Sequence, residues 1–490
     1  MGILSLLLWT PAIGVLLLAV TPGSHAFLIR LIANLCAALA LLLSCWLLSQ
    51  FQPDATDLQF SEYFPINPNL GSAYALGVDG LSLPMLLLTS LLFAVSILIS
   101  TTITSKIKGY HIAILLLEFG LLGVFSAQDW ALFYVFWEIT LISLFFLIDR
   151  WGGKRRHAAS LNFVLYTLAG SLCMLISLLA ISQHGLEHSG SLMASMNQAA
   201  KDMPLPQQIL VLLGFIIGFG VKMPIFPLHG WLPLALVEAP MPVTILLAGI
   251  LLKMGAYALL RVVVMLPEAT HTLQPLLIFL ALFGMIYGGL LAWRQTDLKA
   301  MIAYSCISQM AIILGGIASL NSTAIYGAVL QMSAHGLIAA SLFLLLGLLY
   351  QRSQTWNIQN YRSLLAVMPR FALLMTLSLL ALMGMPGTIG FIAEIHAFIG
   401  GLQQWQGLMV FFVLGSLITA AYSLRTLSLL FTGAEQPANH PYQDLQTREL
   451  FAAGVLAIGI TALGIMPAAW LKFANASVQQ ISHAVGQTAL

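Results

Sequence analysis

Four ionisable residues, Glu138, Lys222, Lys253 and Glu394, stand inside long apolar runs of this chain. A charge at the centre of a bilayer costs roughly 3 kcal/mol on insertion scales, so four cost on the order of 12 kcal/mol. Interhelical polar bonds return only about 0.6 kcal/mol each in membranes, so holding helices together does not account for them. Ionisable groups in such places mark a path for protons or ions. Glu138 lies nine residues into its run and Lys253 twelve. At 1.5 Å per residue that is about 13 and 18 Å, near mid-bilayer for both. Three histidines, His229, His335 and His396, and the charged residues Glu118, Lys299 and Arg425 are further polar members of these runs.

The composition requires a membrane for these runs. Of the 490 residues 60% are hydrophobic and only 7% charged, against about 25% charged in a soluble chain. Nineteen Lys/Arg against seventeen Asp/Glu leave a net charge of +2, too little for a nucleic-acid partner, which needs many cations on one face. Cys36, Cys45, Cys173 and Cys306 are isolated in apolar runs, without the close pairs that hold zinc, haem or iron–sulfur clusters. No glycine-rich phosphate loop occurs, so no cofactor is expected in this chain. The first 26 residues end in Ser24-His25-Ala26. They lack the cationic start of a secretory signal and read as a transmembrane helix.

Apolar runs of spanning length lie near 2–20, 27–50, 78–104, 111–127, 129–149, 157–183, 207–238, 241–265, 272–293, 297–319, 325–351, 367–402, 406–433 and 449–470. The expected fold is an all-α integral membrane protein of about fourteen transmembrane helices. Runs 207–238 and 367–402 exceed what a hydrocarbon core needs, and each carries Met-Pro in its middle. Proline removes a donor and frees a carbonyl one turn back, here on Gly220, Met223 and Leu382. Helices 7 and 12 are therefore expected to be broken, with hydrated pockets at the breaks. Pro386 lies 162 residues beyond Pro224, a shift of five helices. An odd shift reverses topology and predicts two inverted five-helix repeats, helices 4–8 and 9–13. The chain divides accordingly into 1–110, 111–265, 266–433 and 434–490. Loops after odd-numbered helices hold twelve Lys/Arg and those after even-numbered helices only Lys201 and Arg261, which puts odd loops in the cytoplasm and both termini on the lumenal or periplasmic side.

The motifs at these positions are similar to those of the antiporter-like subunits of respiratory complex I and its photosynthetic relative, the NDH-1 complex. The matching segments are Val78-Asp79-Gly80-Leu81-Ser82, Phe136-Trp137-Glu138, Val221-Lys222-Met223-Pro224, Pro227-Leu228-His229-Gly230-Trp231-Leu232-Pro233, Leu252-Lys253, Gln295-Thr296-Asp297-Leu298-Lys299, Ala334-His335-Gly336, and Gly384-Met385-Pro386-Gly387 through Glu394. Glu394, where other types of the family have lysine, indicates by resemblance the M or NdhD type. The chain ending soon after helix 14 leaves no room for the long lateral helix of the L type. The resemblance implies a proton path in which Glu138 pairs with Lys222 as the charge switch of a first half-channel. Lys253 then links the halves, His335 continues the axis with His229 on the path, and Glu394 is the terminal proton acceptor. It also implies that partner subunits, among them neighbouring antiporter-like ones, supply the iron–sulfur clusters and the quinone site. The reaction would be NAD(P)H- or ferredoxin-driven reduction of a quinone such as plastoquinone, coupled to proton translocation.

Three positions depart from the family pattern. Leu234 and Leu236 replace an aspartate and a histidine after the first broken helix, and Gln309 replaces a histidine of the tenth. Glutamine does not take up and release protons near neutral pH. Such changes resemble the specialised paralogue of the cyanobacterial CO2-uptake complex, in a thylakoid membrane, with a bacterial plasma membrane as the alternative. An Mrp-type cation/proton antiporter subunit and a non-pumping scaffold are the competing readings. Lys299 is expected either to pair with Asp297 at the interface or to serve a channel, and Arg425 to snorkel to the boundary. His396 and Glu118 are single polar residues outside the expected path, and the 20 methionines are expected to serve packing.

Overall fold

The computed structural model describes residues 2–67, 71–184, 190–433 and 442–486. Helices α1 (Ile3–Val20) and α2 (Ala26–Gln50) lead into an antiparallel hairpin of β1 (Gln59–Asn67) and β2 (Ser72–Val78). Next come α3 (Ser82–Ile99), α4 (Ile107–Ser126), α5 (Trp130–Trp151) and α6 (Arg156–His184). A short amphipathic α7 (Met193–Lys201) precedes α8 (Leu205–Lys222) and α9 (Leu232–Glu238), the two halves of the expected seventh span. The eighth span is α10 (Met241–Leu246), a π turn over Leu247–Leu251, and α11 (Leu252–Met265). It is followed by α12 (Pro267–Arg294), α13 (Leu298–Ala318) and α14 (Ser322–Ser353). A one-turn α15 (Leu364–Val367) leads into α16 (Pro369–Leu382) and α17 (Ile389–Trp405), the halves of the twelfth. The chain closes with α18 (Met409–Phe431), α19 (Thr447–Ile465) and α20 (Pro467–Gly486).

Among the described residues, thirteen segments are long and apolar enough to cross a membrane. One of them, Ile389–Phe431, holds both α17 and α18, which meet at Gln406 with φ 38°. Counted apart they make fourteen, and α16 completes the twelfth. The packing order repeats with a shift of five spans: α4 on α5 as α12 on α13, α5 on α6 as α13 on α14, and α6 on both halves of the seventh span (α8, α9) as α14 on both halves of the twelfth (α16, α17). The two Met-Pro breaks fall at equivalent places in this order, as two inverted five-helix repeats require.

Three elements were not expected. The hairpin turns the polar insert 51–77 into sheet, so the third helix starts at Ser82 and not at 78. Its strands are rich in aromatic and alternating apolar residues, the composition that suits a half-buried pleat. The amphipathic α7 and α20 are too short or too polar to span. Pro467, lacking an N–H, ends α19 and starts α20 along the surface.

The hairpin marks one face of the molecule. Asp129, fully buried, N-caps α5 through Ala131 and Leu132 N–H, and its other oxygen accepts from Ala73 N–H of β2 and the Ser191 hydroxyl. Gly80 N–H donates to Ser477 of α20 at 2.9 Å, and Gln480 of α20 donates to Thr56 O. In the turn ahead of α3, Asp79 accepts two hydrogen bonds from Arg261 of α11, at 2.5 and 2.9 Å. Burial works to raise its carboxyl, but the Arg261 guanidinium and the Ser82 hydrogen bonds win and hold it below the usual carboxylate range. The opposite face collects the basic loops. There Lys108 donates to Ala19 O, Arg30 to Thr101 and Ile103 O, and Arg352 pairs with Glu449 at 2.5 Å.

Asp129→Ala leaves four donors without their acceptor. A stability loss of about 2 kcal/mol or more is expected from the lost cap and the unpaired groups. The thermal midpoint of the purified chain reads it, and an unchanged midpoint contradicts the anchoring role of Asp129.

Candidate functional site

The two most enclosed spans meet at the centre of the molecule. The most apolar windows of Met241–Met265 and of α14 are wholly buried by their neighbours. Gly249 in the π turn and Gly336 in α14 let them touch: a Cβ on Gly336 would lie 2.8 Å from Gly249 O and 2.5 Å from Leu88. This approach sets Lys253 against His335, with Nζ 3.0 Å from Nδ1 and both residues at most 1% exposed. An ammonium donates at that distance to a ring nitrogen that carries no proton. Lys253 also donates to Ala248 O at 2.6 Å, a carbonyl inside the π turn. Wide turns of this kind cluster at functional positions because they re-aim backbone groups.

From His335 the polar line runs one helical turn back to Gln331 on the same face of α14. Gln331 donates to Gln309 Oε1 of α13 at 2.6 Å. The Gln309 carboxamide nitrogen stands beside the Glu394 carboxylate of α17 without closing a full hydrogen bond. Ser416 of α18 donates to Glu394 at 3.4 Å. The break in the twelfth span makes room for this carboxylate. Gly384 has φ +73°, and a Cβ there would stand 2.9 Å from Glu394 Oε2. Lys253, His335, Gln331, Gln309 and Glu394 thus stand in one row across four helices. Gln331 was missed in the sequence because an amide in an apolar helix carries no charge signal. Its spacing of four from His335 was the available clue.

Lys222 is placed differently. It ends α8 at the first break, 1% exposed, with no hydrogen-bond partner. Its Nζ lies 5.5 Å from the Trp137 ring centre and 5.3 Å from that of Phe163, within cation–π range. Glu138 is the acidic group that acts on it, but no ion pair closes between them. The expected contact pair is thus a pair at a distance, because Lys222 rests on aromatic faces instead. The first break also satisfies its carbonyls within the protein. The carbonyl freed on Gly220 accepts from Ile225 N–H at 2.8 Å, and Val221 O accepts from the Trp231 indole at 2.8 Å.

His229 sits past that break in an aromatic cluster, 5.7 Å from Phe226 and 5.4 Å from Tyr287 by ring centres. No hydrogen bond or ion pair joins it to the other five expected site residues among the described residues. Lys299 does not pair with Asp297, which instead N-caps α13. Its ammonium donates to Val237 and Ala239 O at 2.9 and 2.6 Å, stopping the C-terminal end of α9, where cations are favoured. Arg425 reaches Trp293 O at 2.5 Å. Glu118 is fully buried in α4 with both oxygens unpartnered, and His396 bonds its own helix at Ile392 O.

Residues 127–419 match the family described as NADH:quinone oxidoreductase/Mrp antiporter, transmembrane region. The chain is 39% identical to NAD(P)H-quinone oxidoreductase chain 4 1 of a Picosynechococcus species, over 84% of this chain and 79% of that one. It is 37% identical to NAD(P)H-quinone oxidoreductase chain 4 2 of Thermosynechococcus vestitus, over 95% and 89%. Its fold superimposes with a TM-score of 0.89 on a chain of respiratory complex I from Thermus thermophilus with bound NADH, at 29% identity and 99% coverage of both chains.

Gln331→Leu removes the one side-chain link between α14 and Gln309. Leaving a buried amide unpaired costs about 1–3 kcal/mol, so proton transfer through the chain is expected to slow about tenfold. Proton uptake by vesicles per quinone reduced measures this, and an unchanged ratio excludes Gln331 from the line.

Proposed function

This chain belongs to the NADH:quinone oxidoreductase/Mrp antiporter family, and from that premise we propose that it is the antiporter-like, proton-translocating chain 4 of a membrane-bound NAD(P)H-quinone oxidoreductase complex. It carries protons while partner subunits hold the iron–sulfur clusters and reduce the quinone. The observation that carries this reading is the row of polar side chains set in apolar helices, from the Lys253–His335 contact through the Gln331–Gln309 hydrogen bond to Glu394 beside Gln309. Neither a scaffold nor a packing role calls for such a row, since each member raises the cost of burial.

In this reading Lys222 and Glu138 form the switch of the first half, which spans 111–265. Lys222 has no hydrogen bond to break, so its charge state follows the position of Glu138 and the hydration around it. Lys253 and His335 pass the proton to the second half, 266–433, and Glu394 releases it. Gln309 stands where the family resemblance implies a histidine. Its amide both donates and accepts, so it orders the hydrogen-bond line, and the hop across it passes through water. The relatives' organisms favour a cyanobacterial thylakoid membrane, with the hairpin face and both termini toward the lumen. The Leu234, Leu236 and Gln309 departures favour a complex specialised for CO2 uptake. Identifying the co-purifying subunits tests that assignment.

Glu138→Gln, Lys222→Met and Glu394→Gln are each expected to lower proton uptake at least tenfold, since each removes a group that must change charge, roughly 1.4 kcal/mol or more of barrier. Native electrophoresis is expected to show the complex assembled in each. Undiminished pumping in all three variants refutes the reading.

A further inference from the structure

One polar column in the molecule lies outside the row already described. Lys253, Tyr257 and Arg261 follow one another at intervals of four along α11 and therefore share one helix face. Arg261 donates from Nη2 to the Tyr257 hydroxyl at 2.9 Å, and its guanidinium lies 4.9 Å from the centre of the Tyr257 ring. It also holds Asp79 with two hydrogen bonds, while its Nε is buried and has no acceptor. Asp79 and Arg261 in turn line a cavity of about 420 Å³ at the hairpin face, together with Gln128, Asn197, Ser477 and Gln480. Their side chains remain 14% and 18% exposed into it.

We infer that this cavity and the Asp79–Arg261–Tyr257 column form a second proton branch, joining the hairpin face to Lys253, with the Asp79–Arg261 pair as its gate. The branch rests on the pump reading above and adds to it an access route from the side of the membrane that the hairpin occupies. Eight residues of helix separate Lys253 from Arg261, about 12 Å. Tyr257 stands between them, its hydroxyl turned toward Arg261 and Phe125 O, and water completes the step from there to Lys253. The polar lining suits water: the cavity offers carboxylate, guanidinium, amide and hydroxyl groups, and the unspent Arg261 Nε–H points to a missing acceptor. While the pair is closed, the fixed positive charge of Arg261 stands across the column and repels a proton. When Arg261 swings toward the cavity the column opens and a proton moves along water and the Tyr257 hydroxyl, leaving one site as it reaches the next. The pair also ties the turn before α3 to α11, and the experiment separates the two roles.

The test uses the whole complex in inside-out vesicles, reading proton uptake per quinone reduced. Tyr257→Phe keeps the ring and its packing on Phe125 and removes only the hydroxyl. It is expected to lower the ratio at least about twofold, the effect of a barrier raised by one lost hydrogen bond, with the complex assembled and quinone reduction retained. Asn197→Cys, treated before vesicle preparation with a membrane-impermeant methanethiosulfonate reaching the hairpin face, is expected to lose pumping relative to its untreated form, while the same treatment of the unmutated chain changes nothing. Both ratios unchanged, with Lys222→Met still abolishing pumping, reduce the column to a structural clamp and overturn the branch. If Lys222→Met is silent as well, the pump reading fails and the branch fails with it.

Discussion

An ammonium at the centre of a helix wholly buried by its neighbours takes its hydrogen-bond partners from the protein. Lys253 receives them from three features that depend on one another. The π turn turns the Ala248 carbonyl to it, the Gly249–Gly336 contact brings α14 close, and His335 faces it from there. An extra methyl at Gly336 would push the two helices apart, and the ammonium would lose its neighbour. Close backbone packing therefore surrounds this buried charge. The remaining helices wrap these two spans so that the cost is not relieved by lipid or solvent.

The three buried lysines show how satisfaction tracks role. Lys299 gives its charge to the carbonyls that end α9, a fixed structural bond. Lys253 is bonded to one carbonyl and one histidine, a partner able to exchange protons with it. Lys222 has aromatic faces and no hydrogen bond, which makes its state the easiest to change. A closed Glu138–Lys222 pair would be a trap, because breaking a buried pair leaves an uncompensated charge worth about 3–5 kcal/mol. Holding the pair apart keeps both states within reach. Under the proposed function the first half then responds to a modest electrostatic change, and the second half supplies the row of polar groups that leads to Glu394.

The hairpin face shows the complementary use of acidic groups. Asp129 and Asp79 each gather several donors that the irregular backbone between spans would otherwise leave unpaired. The hairpin, α7 and α20 close over these turns and give the bundle a polar cap with a cavity beneath it. On the basic face Arg30 and Arg352 bond to carbonyls of neighbouring loops, and Arg352 also pairs with Glu449.

The sequence by itself determined how many spans there are, which two are broken and which charges lie deep, because each is a local property: hydrophobic length, a proline, a charged letter in an apolar run. The hairpin escaped that reading since a short polar insert carries no strong period, and α20 since one proline separates it from an apolar helix. Partnership was decided only by the fold. Lys253 meets His335 across 82 residues and Gln331 meets Gln309 across 22, contacts set by helix approach and rotation. Glu138 and Lys222, neighbours by resemblance, are separated by where Trp137 and Phe163 put their rings. Local chemistry names the groups that cannot be idle in a membrane. The packing of helices, which depends on the volume of every side chain between them, settles which of those groups touch.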